Sequence, residues 1–73
     1  MKVRIRLETG SDVQEFVAIA TQHSGKVYIT DGNGLKINAK SYLGVAYSRL
    51  EFETLWCESE ADFYTQIDKF VVL

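Results

Sequence analysis

The residue pattern predicts an α+β fold: a four-stranded antiparallel sheet with helices on one face, in the order β-α-β-β-α-β-α. Three observations carry that expectation. Short segments alternate apolar and charged residues with a period of two. Other segments repeat apolar residues at helical spacing. Between two of the alternating segments stands "DGNG", a turn signal that joins antiparallel strands.

Taken in order, "VRIRL" sets Val3, Ile5 and Leu7 against Arg4 and Arg6, which is a half-buried first strand. In "GSDVQEFVAIATQHSG", Val13, Phe16, Val17 and Ala20 fall at i, i+3, i+4 and i+7, one apolar stripe of a helix. Ser11 with Gln14 three residues on reads as a capping box. Asp12 suits the positive end of the helix dipole, and Gly25 reads as the stop.

"KVYIT" and "LKINAK" flank "DGNG" as a hairpin, since Asp-Gly and Asn-Gly supply the positive φ values such turns require. Leu35, Ile37 and Ala39 form the inward set of the second arm. A short helix then runs from Ser41 to about Tyr47. "EFETLWC" reads as the fourth strand, with its buried face undecided between Phe52 with Trp56 and Leu55 with Cys57. Ser59 introduces a last helix that lines up Phe63, Ile67, Phe70 and Val71. The core predicted between the layers is Val13, Phe16, Val17, Phe63, Ile67 and Phe70.

With 73 residues the chain makes one domain, 1–73, near the small end of what folds unaided, where about 60% of the unfolded surface is buried. Its 47% hydrophobic and 12% aromatic content is enough for such a core without staples. The single cysteine, Cys57, allows no internal disulfide and reads as a buried thiol, so a reducing cytoplasm is the expected location. No basic segment followed by an apolar one opens the chain. No apolar run approaches the roughly 18 residues of a membrane span, so no membrane role is expected. A net charge of −2 and a pI near 5.2 weigh against nucleic acid as a partner. Lys2, Arg4, Arg6, Lys36 and Lys40, with acids between them, read as a solvated sheet face or edge.

The element order, the length and the stretch "NAKSYLGV" resemble HPr, the small phosphocarrier of the bacterial phosphoenolpyruvate-dependent sugar phosphotransferase system. The resemblance rests on Ala39, Lys40, Ser41, Leu43 and Gly44 at the opening of the second helix. It implies an open-faced two-layer sandwich with three helices on one face and sheet order 1-4-2-3. In that family a histidine at the start of the first helix accepts the phosphoryl group, within Gly-Leu-His-x-Arg-Pro-Ala. A helix N-terminus offers amide donors to the phosphate and the arginine neutralises it. In this chain Thr9, Gly10, Ser11 and Asp12 stand in that loop. It holds neither histidine nor arginine, and the chain contains no proline. A serine phosphate there is a low-energy ester, ill suited to onward transfer.

The resemblance also implies a regulatory site. In many HPr proteins the serine of the Ala-Lys-Ser stretch is phosphorylated by a dedicated kinase, and the neighbouring apolar residues dock partners. The corresponding positions are Ser41 for phosphorylation and Lys40, Ser41, Tyr42, Leu43 and Ala46 for partner binding. From the residues alone, Ser41 is a helix cap, and phosphorylation is compatible with that role. Tyr28, Tyr47 and Tyr64 read as edge-of-core residues, and His23, the only histidine, as a helix-end residue. No nucleophile–base pair, glycine-rich phosphate loop or metal-ligand spacing is present in the sequence, so neither an enzyme nor a cofactor is expected. The sequence thus leads to an HPr-like regulatory module whose partners are proteins of the phosphotransferase system or a regulator. A phosphocarrier working through another group and a small structural or oligomerising domain are the alternatives.

Overall fold

The computed structural model describes all residues, Met1–Leu73. The chain runs β1 (Lys2–Ile5), α1 (Gly10–Thr21), β2 (Val27–Thr30), β3 (Lys36–Asn38), α2 (Tyr42–Glu51), β4 (Leu55–Ser59) and α3 (Tyr64–Ile67), closing with a 3-10 turn at Asp68–Phe70. The four strands form one antiparallel sheet in the order β1-β4-β2-β3, with three helices, as predicted.

Strand alternation sorts the sheet's side chains. Ile5, Val27, Ile29, Leu55 and Cys57 point into the core, where they meet Val13, Phe16 and Ala20 of α1 and Phe63, Ile67 and Phe70 beyond β4. Phe16 and Phe70 pack edge to face with centroids 6.2 Å apart. The ambiguity of the fourth strand is resolved in favour of Leu55 and Cys57, because Cys57 pairs with Val3 and Ile29 on the covered face. Val17 is only partly covered at the margin of this core.

The hairpin turn takes its expected form. Gly32 and Gly34 adopt φ of 86° and 105°, and the Asp31 carboxylate accepts the Asn33 amide at 2.7 Å. Both sheet edges are treated differently. Beside β1, the Arg6 amide donates to Phe70 and the Val72 amide to Arg4, so the C-terminal segment covers that edge. The other edge, β3, is only three residues long and carries Lys36 and Asn38, which makes it a poor template for pairing.

Several expectations at element ends are corrected. The cap of α1 is Thr9, with Asp12 completing its capping box; Ser11 lies inside the first turn and Gln14 takes no part. Gly25 does not terminate α1, which ends at Thr21, and it has no left-handed backbone. Leu35 precedes β3 and is exposed. α2 runs a full turn beyond Tyr47, to Glu51, with Phe52 as its C-cap rather than the start of a strand. Ser59 is not a helix cap. It is the buried last residue of β4, paired with Val27, because the period-two pattern of Leu55 and Cys57 continues through it. The last helix is a single turn extended by the 3-10 segment, and Val71 pairs with Ile5 as an isolated bridge.

Candidate functional site

The residues singled out from the sequence gather at the two helix N-termini. At α1, Thr9 is extended (φ −131°, ψ 167°) and its hydroxyl accepts the Asp12 amide at 3.1 Å. The Asp12 carboxylate turns back to accept the amides of Glu8 at 2.8 Å and Thr9 at 3.3 Å. Arg49, from the end of α2, donates to the carbonyl of Leu7 at 2.9 Å and to that of Glu8 at 2.6 Å. The amides just ahead of the helix are therefore held by the chain's own carboxylate. Gly10 and Ser11 follow in the first turn, both exposed.

At α2 the situation differs. Ser41 is extended (φ −96°, ψ 113°), exposed, and its hydroxyl accepts the Gly44 amide at 3.1 Å. No acid lies in the first turn of this helix. Gly44 is required there by a close approach. A Cβ on it would lie 2.7 Å from Cγ2 of Ile37 and 3.2 Å from the Ser41 hydroxyl. The Asn38 side chain accepts the Lys40 amide at 2.9 Å, fixing the turn from β3 into the cap.

The faces of α2 are the reverse of the usual arrangement. Val45 and Ser48 are fully buried, and the Ser48 hydroxyl bonds back to the Gly44 carbonyl at 2.8 Å, which satisfies it inside the core. Leu43, Tyr47 and Leu50, at i, i+4 and i+7, are 79%, 54% and 77% exposed. Tyr42 is also exposed at 44%. An apolar stripe thus lies in solvent directly beside the Ser41 cap. Tyr47 and Leu50 were missed as surface residues because their spacing from Leu43 is that of a buried stripe. The one available clue was small Gly44 and polar Ser48 on the alternate face.

Of the other expected contact residues, Ala46 turns partly toward the core and packs against it. Lys40 is half-buried, its ammonium donating to the His23 carbonyl, so it ties α2's entry to the end of α1. His23 itself stacks on Phe63 with centroids 4.2 Å apart and has Gln66 Oε1 3.3 Å from its Nε2, a packing role at the helix end. Tyr64 reaches the surface, whereas Tyr28 stays half-buried. Burial pushes the Cys57 thiol up to about 12, the N-terminal ammonium pulling weakly the other way, so this sulfur is protonated and inert at neutral pH.

No group of three or more histidine, cysteine, aspartate or glutamate side chains is arranged to hold a metal ion. No helix is long and apolar enough to cross a membrane. No family model, curated protein or solved structure matches the chain.

Proposed function

We propose that the protein is an HPr-like regulatory module of the cytoplasm that acts by binding a protein partner through the surface around Ser41. The observation that carries this reading is the exposed apolar stripe of Leu43, Tyr47 and Leu50 running from an exposed serine cap. A stripe of that size in water is costly to leave uncovered, and it suits a docking surface with Tyr47 as an amphipathic anchor. The strand order β1-β4-β2-β3 and the "NAKSYLGV" stretch support the relation to the phosphotransferase system.

Phosphorylation of Ser41 would place roughly −1.5 to −2 charges at the N-terminus of α2, where the dipole favours an anion and no acid competes. Its effect would fall on partner binding, because the serine hydroxyl is already at the surface. The loop at α1 favours binding over phosphoryl transfer. It holds no nucleophilic imidazole, the Asp12 carboxylate already places a negative charge at the helix start, and Arg49 is engaged with the Leu7 and Glu8 carbonyls.

Three measurements test the reading. Incubation with enzyme I and labelled phosphoenolpyruvate should leave the chain unlabelled; an acid-labile phosphate on His23 would overturn the regulatory reading in favour of a carrier. Incubation with the serine kinase of the system, followed by mass spectrometry, should place any phosphate on Ser41. Partner binding by Ser41→Asp should then differ from binding by Ser41→Ala, while Leu43→Ser and Leu50→Ser abolish it. Binding untouched by all four variants would leave a small structural domain as the better description.

A further inference from the structure

The face of the sheet turned away from the helices carries a second, separate arrangement. Two rows of side chains cross it in register. One is Lys2, Glu58, Tyr28 and Asn38; the other is Arg4, Trp56, Thr30 and Lys36. The two aromatic residues sit on the central strands as diagonal neighbours, and each has a lysine over its ring. Lys2 Nζ is 5.6 Å from the Trp56 centroid and Lys36 Nζ 5.4 Å from that of Tyr28. Gly32 lies against the edge of the Trp56 indole, close enough that a Cβ would come 3.0 Å from Nε1, so the hairpin turn holds the ring in place.

Charge on this face is opposite to that of the whole chain. Lys2, Arg4, Lys26 and Lys36 stand against two carboxylates, Glu58, which pairs with Lys36 at 3.5 Å, and Glu60, whereas the chain as a whole carries −2. The acidic excess lies in the helices and loops. Along β1 and its continuation, Lys2, Arg4 and Arg6 are exposed at alternate positions, about 7 Å apart from the strand rise. None of the three takes part in an ion pair; the pairs present are Lys36–Glu58 and Lys69–Glu15.

We propose that this face binds single-stranded nucleic acid. Two successive bases stack on Trp56 and Tyr28, and the phosphates run along Lys2, Arg4 and Arg6. An evenly spaced row of unpaired cations is complementary to a polyanion with an extended repeat. Aromatic rings on adjacent central strands are the means by which four-stranded sheets hold unstacked bases. The lysines over the rings swing to phosphate when a base arrives, exchanging a weak cation–π contact for a charge pair. Beside Tyr28 a hollow of about 190 Å³, lined by Lys26, Lys36, Glu58, Ser59 and Glu60, offers donors and acceptors to one base edge. Overall acidity, which weighs against nucleic acid for the chain, does not describe this face.

The test is a titration of the intact chain with fluorescein-labelled octamers of uridine and of thymidine, read by anisotropy and by the emission of Trp56, the only tryptophan. Binding should quench Trp56 and shift the Tyr28 ring resonances. With about three phosphates neutralised, affinity should fall roughly fifteen- to twentyfold between about 50 and about 200 mM salt. The double variant Arg4→Glu with Arg6→Glu, altering exposed side chains only, should weaken binding at least tenfold. Tyr28→Leu should weaken it about as much, while Leu43→Ser on α2 leaves it unchanged. Unquenched Trp56 and unmoved Tyr28 resonances at saturating oligonucleotide would overturn the proposal without needing any variant. So would equal affinity for inorganic polyphosphate or polyglutamate, or for an RNA duplex, since these offer charge without an unstacked base. Loss of binding in Leu43→Ser would move the site to α2, which also overturns it and leaves the regulatory reading standing.

Discussion

The N-termini of α1 and α2 begin alike and end differently. Each is capped by an extended hydroxyl residue, Thr9 or Ser41, accepting an amide three residues on at 3.1 Å. At α1 a carboxylate then turns back onto the amides of Glu8 and Thr9, and an arginine secures the carbonyls behind it. At α2 the third position is Gly44, nothing acidic follows, and the cap lies open beside exposed Leu43 and Tyr42. The same local device thus carries its own anion at one helix end and none at the other. What separates them is the residue at N3, aspartate in one and glycine in the other.

Substitutions that exchange or remove these N3 residues have the largest expected effects. Gly44→Ala should destabilise by about 1–3 kcal/mol even though alanine is the better helix former, because its Cβ would meet Ile37 at 2.7 Å and crowd the Ser41 cap. A thermal melt unchanged or raised in this variant would show that the close approach relaxes freely. Asp12→Ala should cost about 1–2 kcal/mol in chemical denaturation, since it frees two backbone amides and removes a favourable charge from the helix start. If the loss is negligible, water satisfies those amides and the α1 end is less closed than its geometry indicates.

The cap itself comes next. Ser41→Ala should cost about 1 kcal/mol, and Ser41→Asp should fold as stably as the parent within a few tenths, since aspartate caps as well as serine. A pair of melts at one salt concentration separates the two. At the small end, Leu43→Ser and Leu50→Ser should each change stability by no more than about 0.5 kcal/mol, because neither side chain is covered. A loss of 2 kcal/mol or more in either would mean that the stripe is folded against something in solution.

These differences mark what was legible in the sequence. The sheet, the hairpin and the inward residues of α1 follow from periods of two and 3.6 and from Asp-Gly with Asn-Gly, signals that tertiary contacts reinforce. Ser41 was legible because strand alternation stops at Lys40 and helical spacing starts one residue later. The cap of α1 was not, since both Thr9 and Ser11 are hydroxyl residues ahead of a partner three positions on, and Gly10 hides the earlier start. Ser59 was misplaced for a similar reason: a small polar residue before acids looks like a cap, yet its burial beside Val27 is fixed by pairing across the sheet. The outward stripe of α2 was illegible because periodicity finds an apolar face without saying which way it turns. Only the close approach of Gly44 to Ile37, where even a Cβ would lie 2.7 Å away, decides that.

The covering of β1 also bears on the order in which the structure can form. Its hydrogen-bonding neighbours are β4, at residues 55–59, and the segment around Phe70 to Val72. The first strand in chain order therefore has no partner until nearly all of the remaining residues exist. On a ribosome, β1 would wait unpaired while α1, the hairpin and α2 emerge, and it would pair only once β4 follows them. The alternating charges of Lys2, Arg4 and Arg6 would keep that waiting strand soluble, so the residues that face solvent in the finished sheet also guard its assembly.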